Sequence, residues 1–207
     1  MDTTELIKTF VILVAVIDPI GNIPVYIALS AQKTDEEHKA IALKTSCAAV
    51  ILLAASFLFG KYAIAFFGIK MSAFKLIGGI FLVYISFTML VNTKTSSLSE
   101  MEEELGSKND LSLMPLTFPL FIGPAAISIV IIQSSEIFTV PAKLVTLLVF
   151  ILIGILIWMT LKLAKLILNF LGKTEIKFIT QIMGLLLGSL AIGMIAEELK
   201  VLLPGLS

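Results

Sequence analysis

The sequence predicts an all-α polytopic membrane protein: six transmembrane helices arranged as two inverted three-helix repeats, with helices 1 and 4 discontinuous. Three observations predict it. The 207 residues are 58% hydrophobic and 14% charged, with a mean hydropathy of +1.05, whereas soluble domains average about 45–50% apolar and about 25% charged. The apolar residues gather into six runs, each near the roughly 20 residues that a spanning helix requires. Two of these runs are interrupted near their middles by the same pattern, Pro-x-x-x-x-Pro, and the two patterns lie 100 residues apart.

Run one covers about 6–30 and is cut at Asp18-Pro19-Ile20-Gly21-Asn22-Ile23-Pro24. Proline inside a helix removes a backbone donor and clashes with the preceding turn, and the residue before it avoids the α region. Irregular backbone at membrane depth persists only where protein covers it or where it lines a cavity. The acidic flank (Asp2, Glu5) and the lack of a small-residue cleavage site make this run a retained span rather than a signal peptide. A polar loop at 32–39 leads to run two, about 40–60, and a short connector with Lys61, Lys70 and Lys75 leads to run three, about 72–92. The longest polar stretch follows, with Glu100, Glu102, Glu103, Glu104 and Asp110, and is expected to be a cytoplasmic loop. Run four, about 113–135, is cut at 118–124; run five covers about 142–168 and run six about 178–203. The chain thus divides into a first repeat (1–92), a loop (93–112) and a second repeat (113–207) within one membrane domain.

The halves match in more than their breaks. Gly79 in run three corresponds to Gly184 in run six, and ten residues later Met89 corresponds to Met194. The offset is 105 here and 100 at the breaks, so a connector has grown by five. Three spans per half is an odd number, so the second half enters from the opposite face. Matched broken helices in inverted halves are the best pointer in a sequence to a transport site near the midplane. With the N-terminus outside, nine lysines fall on inner loops and six on outer regions, and there is no arginine. The bias predicts both termini outside, in a plasma membrane.

Zero net charge, with 15 basic and 15 acidic residues, gives no reason to expect nucleic acid. The single cysteine, Cys47, excludes an intrachain disulfide and a cysteine metal cluster. No nucleotide loop, metal-ligand set or nucleophile–base pair is present, so the chain is read as a non-enzyme without cofactor or resident metal. Asp18 is the one ionisable residue deep within a run. An acidic side chain at a helix centre costs roughly 2.5–3.5 kcal/mol on insertion scales. It is either a site carboxylate that meets an ammonium group, a proton or a cation, or a cap for amides freed at the break; the two roles are compatible. Asn22 and Gly123-Pro124 stand where the second half-helices should start, since Asn is a favoured N-cap and Pro suits the first turn. Such helix starts attract carboxylates. Gly21 and Gly123 permit close backbone approach or simply serve the turns. Thr117, Ser128 and Gln181 are polar groups for the same cavity, or else interhelical hydrogen-bonders. Gly78-Gly79 and Gly184-x-x-x-Gly188 fit close helix crossing.

Asp-Pro-x-Gly-Asn-x-Pro in run one, Phe-Pro-Leu-x-x-Gly-Pro in run four and Gly-Gly in run three together resemble the MarC family, over essentially the whole chain. That family is grouped with the LysE-type exporters and is also called a neutral amino acid transporter family. By position, Asp18, Pro19, Gly21, Asn22 and Pro24 match the first motif, and Pro119, Gly123 and Pro124 the second. The resemblance implies a six-helix transporter of small neutral amino acids of the glycine and alanine class, with broken helices around the site and proton or sodium coupling. Its partners would be the substrate, the coupling ion and the bilayer, with room for a homo-oligomer. Ala125 and Gln181 depart from the family pattern, where Gly and a basic residue are frequent. The alternatives are a passive channel or an exporter of other small solutes, a membrane enzyme, and a regulatory subunit.

Overall fold

A computed structural model of the chain describes residues 3–91 and 112–203, and all of its regular structure is helical. The helices are α1 (Thr3–Ile17), α2 (Ile23–Leu29), α3 (Asp35–Phe66), α4 (Met71–Val91), α5 (Ser112–Phe121), α6 (Pro124–Glu136), α7 (Val140–Lys162) and α8 (Ala164–Leu202). Four of them, α3, α4, α7 and α8, are long and apolar enough to cross a membrane. Runs one and four are each split, into α1 with α2 and α5 with α6, at the two proline patterns. The expected cytoplasmic loop at 93–112 lies, but for Ser112, outside the described residues.

Three boundaries differ from the sequence reading. The supposed loop at 32–39 is helical from Asp35, because Thr34 and Glu37 form a capping box: the Glu37 amide donates to Thr34 Oγ1 (3.3 Å) and the Thr34 amide to Glu37 Oε2 (2.7 Å). At 32 residues α3 is about 48 Å long, well beyond the roughly 30 Å hydrocarbon layer. Run five ends at Lys162, and α8 already starts at Ala164, bent where Gly172 adopts φ 82°. Only glycine takes that conformation routinely. The fourth run breaks within its expected interval, 118–124, but only at the far end of it. Pro119 lies inside α5, which is wound as a π-helix, and the non-helical residues are Ile122 and Gly123. The Ile122 amide donates to the Thr117 carbonyl at 2.8 Å, an i→i+5 bond. Wider winding suits a proline whose ring would foul the carbonyl four residues back.

The core is built where the split helices meet α3 and α7. Tyr26, Phe121, Phe150, Leu13 and Ile153 are fully buried there, and Phe57 meets Phe150 edge-to-face at 5.6 Å. Gly154 lets α7 approach Val50 and the Ser46 carbonyl of α3. Outward faces are apolar instead: Phe59, Phe66, Phe87 and Phe170 are all exposed, which suits a hydrocarbon solvent.

Helices α4 and α8 cross antiparallel through glycines. A Cβ on Gly79 would meet Met194 and the Ala191 carbonyl, and one on Gly184 would meet Met89 and the Ser86 carbonyl. The Ser86 hydroxyl donates to the Gly184 carbonyl at 2.7 Å. Lys75, near the start of α4, bridges Glu136 at the end of α6 (2.7 Å) and Glu198 near the end of α8 (3.6 Å). Gln133 of α6 also bonds Thr9 of α1. The described N- and C-terminal ends therefore lie on one face.

Candidate functional site

The first interruption is a tight turn rather than an extended stretch. Asp18 ends α1 with φ 47°, a left-handed conformation rare outside glycine, which Asp tolerates when its short side chain bonds locally. It does so here: the Gly21 amide donates to Asp18 Oδ1 at 3.1 Å. The Asp18 carbonyl in turn accepts the Asn22 amide (3.1 Å) and that of Ile20 the Ile23 amide (3.1 Å). Asp18 is 3% exposed. The capping role expected of it is thus present. Pro24 occupies the first turn of α2, as expected of proline near a helix start.

Asn22 departs from its expected role. It occupies the N-cap position of α2, but with αR backbone and without a side-chain cap bond. Its Nδ2 instead donates to the Ile17 carbonyl (2.9 Å) and to the Leu120 carbonyl (3.4 Å). Loose carbonyls at the ends of α1 and near the end of α5 are what a break leaves behind, and one amide serves both. Asn22 thereby ties the first interruption to the second, with 1% of its surface exposed. Asn22→Asp removes both donors and sets a carboxylate against two carbonyls. The expected loss is about 3 kcal/mol of stability, against about 1–2 kcal/mol for Asn22→Ser; thermal unfolding in detergent checks the order.

The second interruption restarts the chain cleanly. Gly123 is the extended N-cap of α6 (ψ 176°) and Pro124 its first residue, as the sequence predicts. Behind them Ala125 and Ala126 are fully buried.

Helix α8 completes the site with a residue that sequence reasoning missed. A Cβ on Gly21 would collide with the Asp18 carboxylate and with the Thr180 hydroxyl. Thr180 is 5% exposed and its Oγ1 has no hydrogen-bond partner. Gln181, singled out instead, points elsewhere and donates to the Leu90 carbonyl at 2.9 Å. The signal was available: Ile176, Thr180, Gly184, Leu187 and Ala191 follow helical spacing on the buried face, and Gln181 falls off that stripe.

Asp18, Gly21, Asn22, the Leu120 carbonyl and Thr180 are thus brought together by bonds and close approach, with both halves contributing and Pro19 buried next to Asp18 in the chain. Two expected members face other neighbours. The Thr117 hydroxyl donates to the Thr45 carbonyl of α3 (3.5 Å), and Ser128 lies against Gly78 of α4. A cavity of about 420 Å³ opens between α1, α4, α6 and α8 on the face that holds the chain ends. Leu82, which lines it, packs with Val16, Ala125 and Ala191. The arrangement offers a buried carboxylate and a buried, unpaired hydroxyl, with the start of α6 a few residues beyond Leu120: groups able to hold a small polar solute.

A family model described as "MarC family integral membrane protein" matches residues 3–203. Curated relatives match over nearly their full lengths. A UPF0056 membrane protein of Methanocaldococcus jannaschii is 32% identical over 201 residues, 97% of this chain and 98% of the relative. The UPF0056 membrane protein YvbG of Bacillus subtilis is 32% identical over 206 residues, 98% of this chain and 97% of the relative. YhcE of Escherichia coli, of the same description, is 29% identical over 201 residues, 96% and 94% of the two chains. No solved structure matches the chain.

Proposed function

This chain belongs to the MarC family of integral membrane proteins, and from that premise we propose that it works as a secondary transporter of small neutral amino acids. One observation carries the reading: Asn22 hydrogen-bonds across from the first helix break to the Leu120 carbonyl beside the second, next to the buried Asp18. Two interruptions joined at one buried polar point are the arrangement from which midplane transport sites are made. A zwitterion finds complementary groups there. Its ammonium meets Asp18 and the Thr180 hydroxyl; its carboxylate meets the first-turn amides of α6, at the positive end of that helix. Gly21 and the buried Ala125 leave space only for a small side chain.

Six crossings in two inverted repeats complete the proposal, supported by the reciprocity of the α4–α8 crossing. Gly79, Ser86 and Met89 become Gly184, Ala191 and Met194 when 105 is added. Gly79 touches Met194 and the Ala191 carbonyl, while Gly184 touches Met89 and the Ser86 carbonyl. Such an exchange between antiparallel helices is what a two-fold axis in the membrane plane produces.

Purified protein in liposomes tests the function. Uptake of radiolabelled glycine and alanine is expected to saturate, to show counterflow against unlabelled substrate, and to respond to an imposed pH or sodium gradient. Flux that rises linearly with concentration and lacks counterflow would establish a passive channel instead. With both termini outside, the 93–112 segment faces the cytoplasm. A cysteine at Ser107, in a Cys47→Ala background, is expected to resist a membrane-impermeant thiol reagent in intact cells and to react after permeabilisation. Labelling of intact cells reverses the orientation.

A further inference from the structure

Helices α3 and α7 enclose a groove of about 570 Å³ on their outer side. Its floor is set by Gly154, which is buried and has no side chain to fill it; a Cβ there would strike Val50. Two matched stripes form its walls. On α3, Lys39, Leu43, Cys47 and Ile51 recur every four residues and are all exposed. On α7, Ile151, Ile155, Trp158 and Lys162 follow at steps of four, three and four. Such spacings keep each set on one helix face, and all but the two lysines line the groove. The start of α3 meets the end of α7, where Lys165 bonds Asp35 at 3.4 Å, so both stripes end in a lysine at the same end. From Lys39 to Ile51 α3 rises about 18 Å, and from Ile151 to Lys162 α7 rises about 17 Å. Half of a hydrocarbon layer of roughly 30 Å is about 15 Å, so the groove is one leaflet deep. The Lys162 ammonium lies 4.7 Å from the centroid of the Trp158 ring, a ring and cation of the kind that anchors helices at the headgroup boundary. That end is basic as a whole: over 30–44 and 162–177, seven lysines stand against four acidic residues.

We infer that this groove is a binding site for one anionic phospholipid, with an acyl chain along the groove and the phosphate held by Lys39 and Lys162. Depth and charge both select this occupant. The groove stops at Ile51 and Ile151, near the middle of the layer, where an acyl chain ends and a spanning helix of a second copy would continue. A second copy in the same orientation would also set its own basic end against this one at the same level, and like charges there repel. An anionic headgroup instead meets the lysines through charge-assisted hydrogen bonds. A zwitterionic headgroup gains less, because its own cation is opposed by theirs.

Trp158 and Cys47 are the chain's single tryptophan and single cysteine, so the groove carries two probes of its own. Full-length protein in phosphatidylcholine nanodiscs, with one lipid in ten brominated near the headgroup end of its chains, tests the site. Brominated phosphatidylglycerol is expected to quench Trp158 fluorescence at least twice as strongly as brominated phosphatidylcholine. Lys39→Gln, which spares the contact of Lys162 with Trp158, is expected to reduce that difference, and Lys39→Gln with Lys162→Gln to remove it. Cys47→Phe fills the groove from an exposed position and is expected to lower quenching by both lipids at an unchanged unfolding temperature. Equal quenching of the parent by the two lipids, a preference kept by the double variant, or quenching indifferent to Cys47→Phe overturns the assignment. Efficient oxidative cross-linking through Cys47, in discs that hold two chains, overturns it as well and gives the groove to a second copy. The readouts are fluorescence and cross-linking rather than flux, so a protein that failed the transport assay would still decide it.

Discussion

Asp18→Asn is expected to leave the fold in place and to remove most transport, at least tenfold in initial rate, or to uncouple it from the ion gradient. The structural half of this expectation comes from the bond that Asp18 makes. Its Oδ1 accepts the Gly21 amide at 3.1 Å, and an Asn carbonyl oxygen accepts the same bond. Asn also tolerates the left-handed backbone that residue 18 adopts (φ 47°). The functional half comes from charge. A carboxylate 3% exposed, at the break of an apolar run, is expensive to keep, and a step that needs an anion or an exchangeable proton gains from it. Flux in liposomes, with variant and parent matched for amount and unfolding temperature, separates the two halves. Wild-type rates with an unchanged response to the gradient would reduce Asp18 to a cap.

Gly21→Ala is expected to do the opposite, damaging structure and function together. The added methyl would overlap the Asp18 carboxylate and the Thr180 hydroxyl. Both are buried, and the carboxylate is held by the amide of residue 21 itself, so relief requires the turn to open. Overpacking of this kind costs about 1–3 kcal/mol, and the displaced carboxylate loses its bond to the amide as well. A fall of several degrees in unfolding temperature with transport lost is the expected result. Gly21→Ala with Thr180→Ser, which removes one methyl but keeps the hydroxyl that collides, should recover little. Full activity of Gly21→Ala would show that Asp18 and Thr180 do not sit where the geometry puts them.

Much of this fold was legible because proline and charge are loud in an apolar sequence. The two Pro-x-x-x-x-Pro patterns located both interruptions, and a lone Asp in a span located the buried carboxylate. The exact form of each break was not legible. Proline marks a disturbed hydrogen bond but not how the backbone accommodates it, so the first break became a compact turn at Asp18 and the second moved beyond a π-helical Pro119. Asn22 was misread for a related reason: a favoured cap has the same donors and acceptors that can bridge to another segment, and only tertiary structure decides. Thr34-Asp35-Glu36-Glu37 carried a readable capping box, hidden by the polarity of the stretch around it. Thr180 was hidden by size, since a threonine in a helix full of Leu and Ile looks like filling until the face it occupies is known.

The crossing of α4 and α8 holds two like contacts and one bond without a twin. Gly79 faces Met194 and Gly184 faces Met89, and because the helices run antiparallel, sliding one along the other changes both contacts in the same sense, so neither can compensate for the other. The hydrogen bond has no such partner: Ser86 donates to the Gly184 carbonyl, whereas Ala191, 105 residues on, has no hydroxyl to return. Ser86→Ala removes a net hydrogen bond of about 1 kcal/mol and is expected to lower the unfolding temperature in detergent by about 2–4 °C; an unchanged unfolding temperature would mean that packing alone sets the register of the crossing.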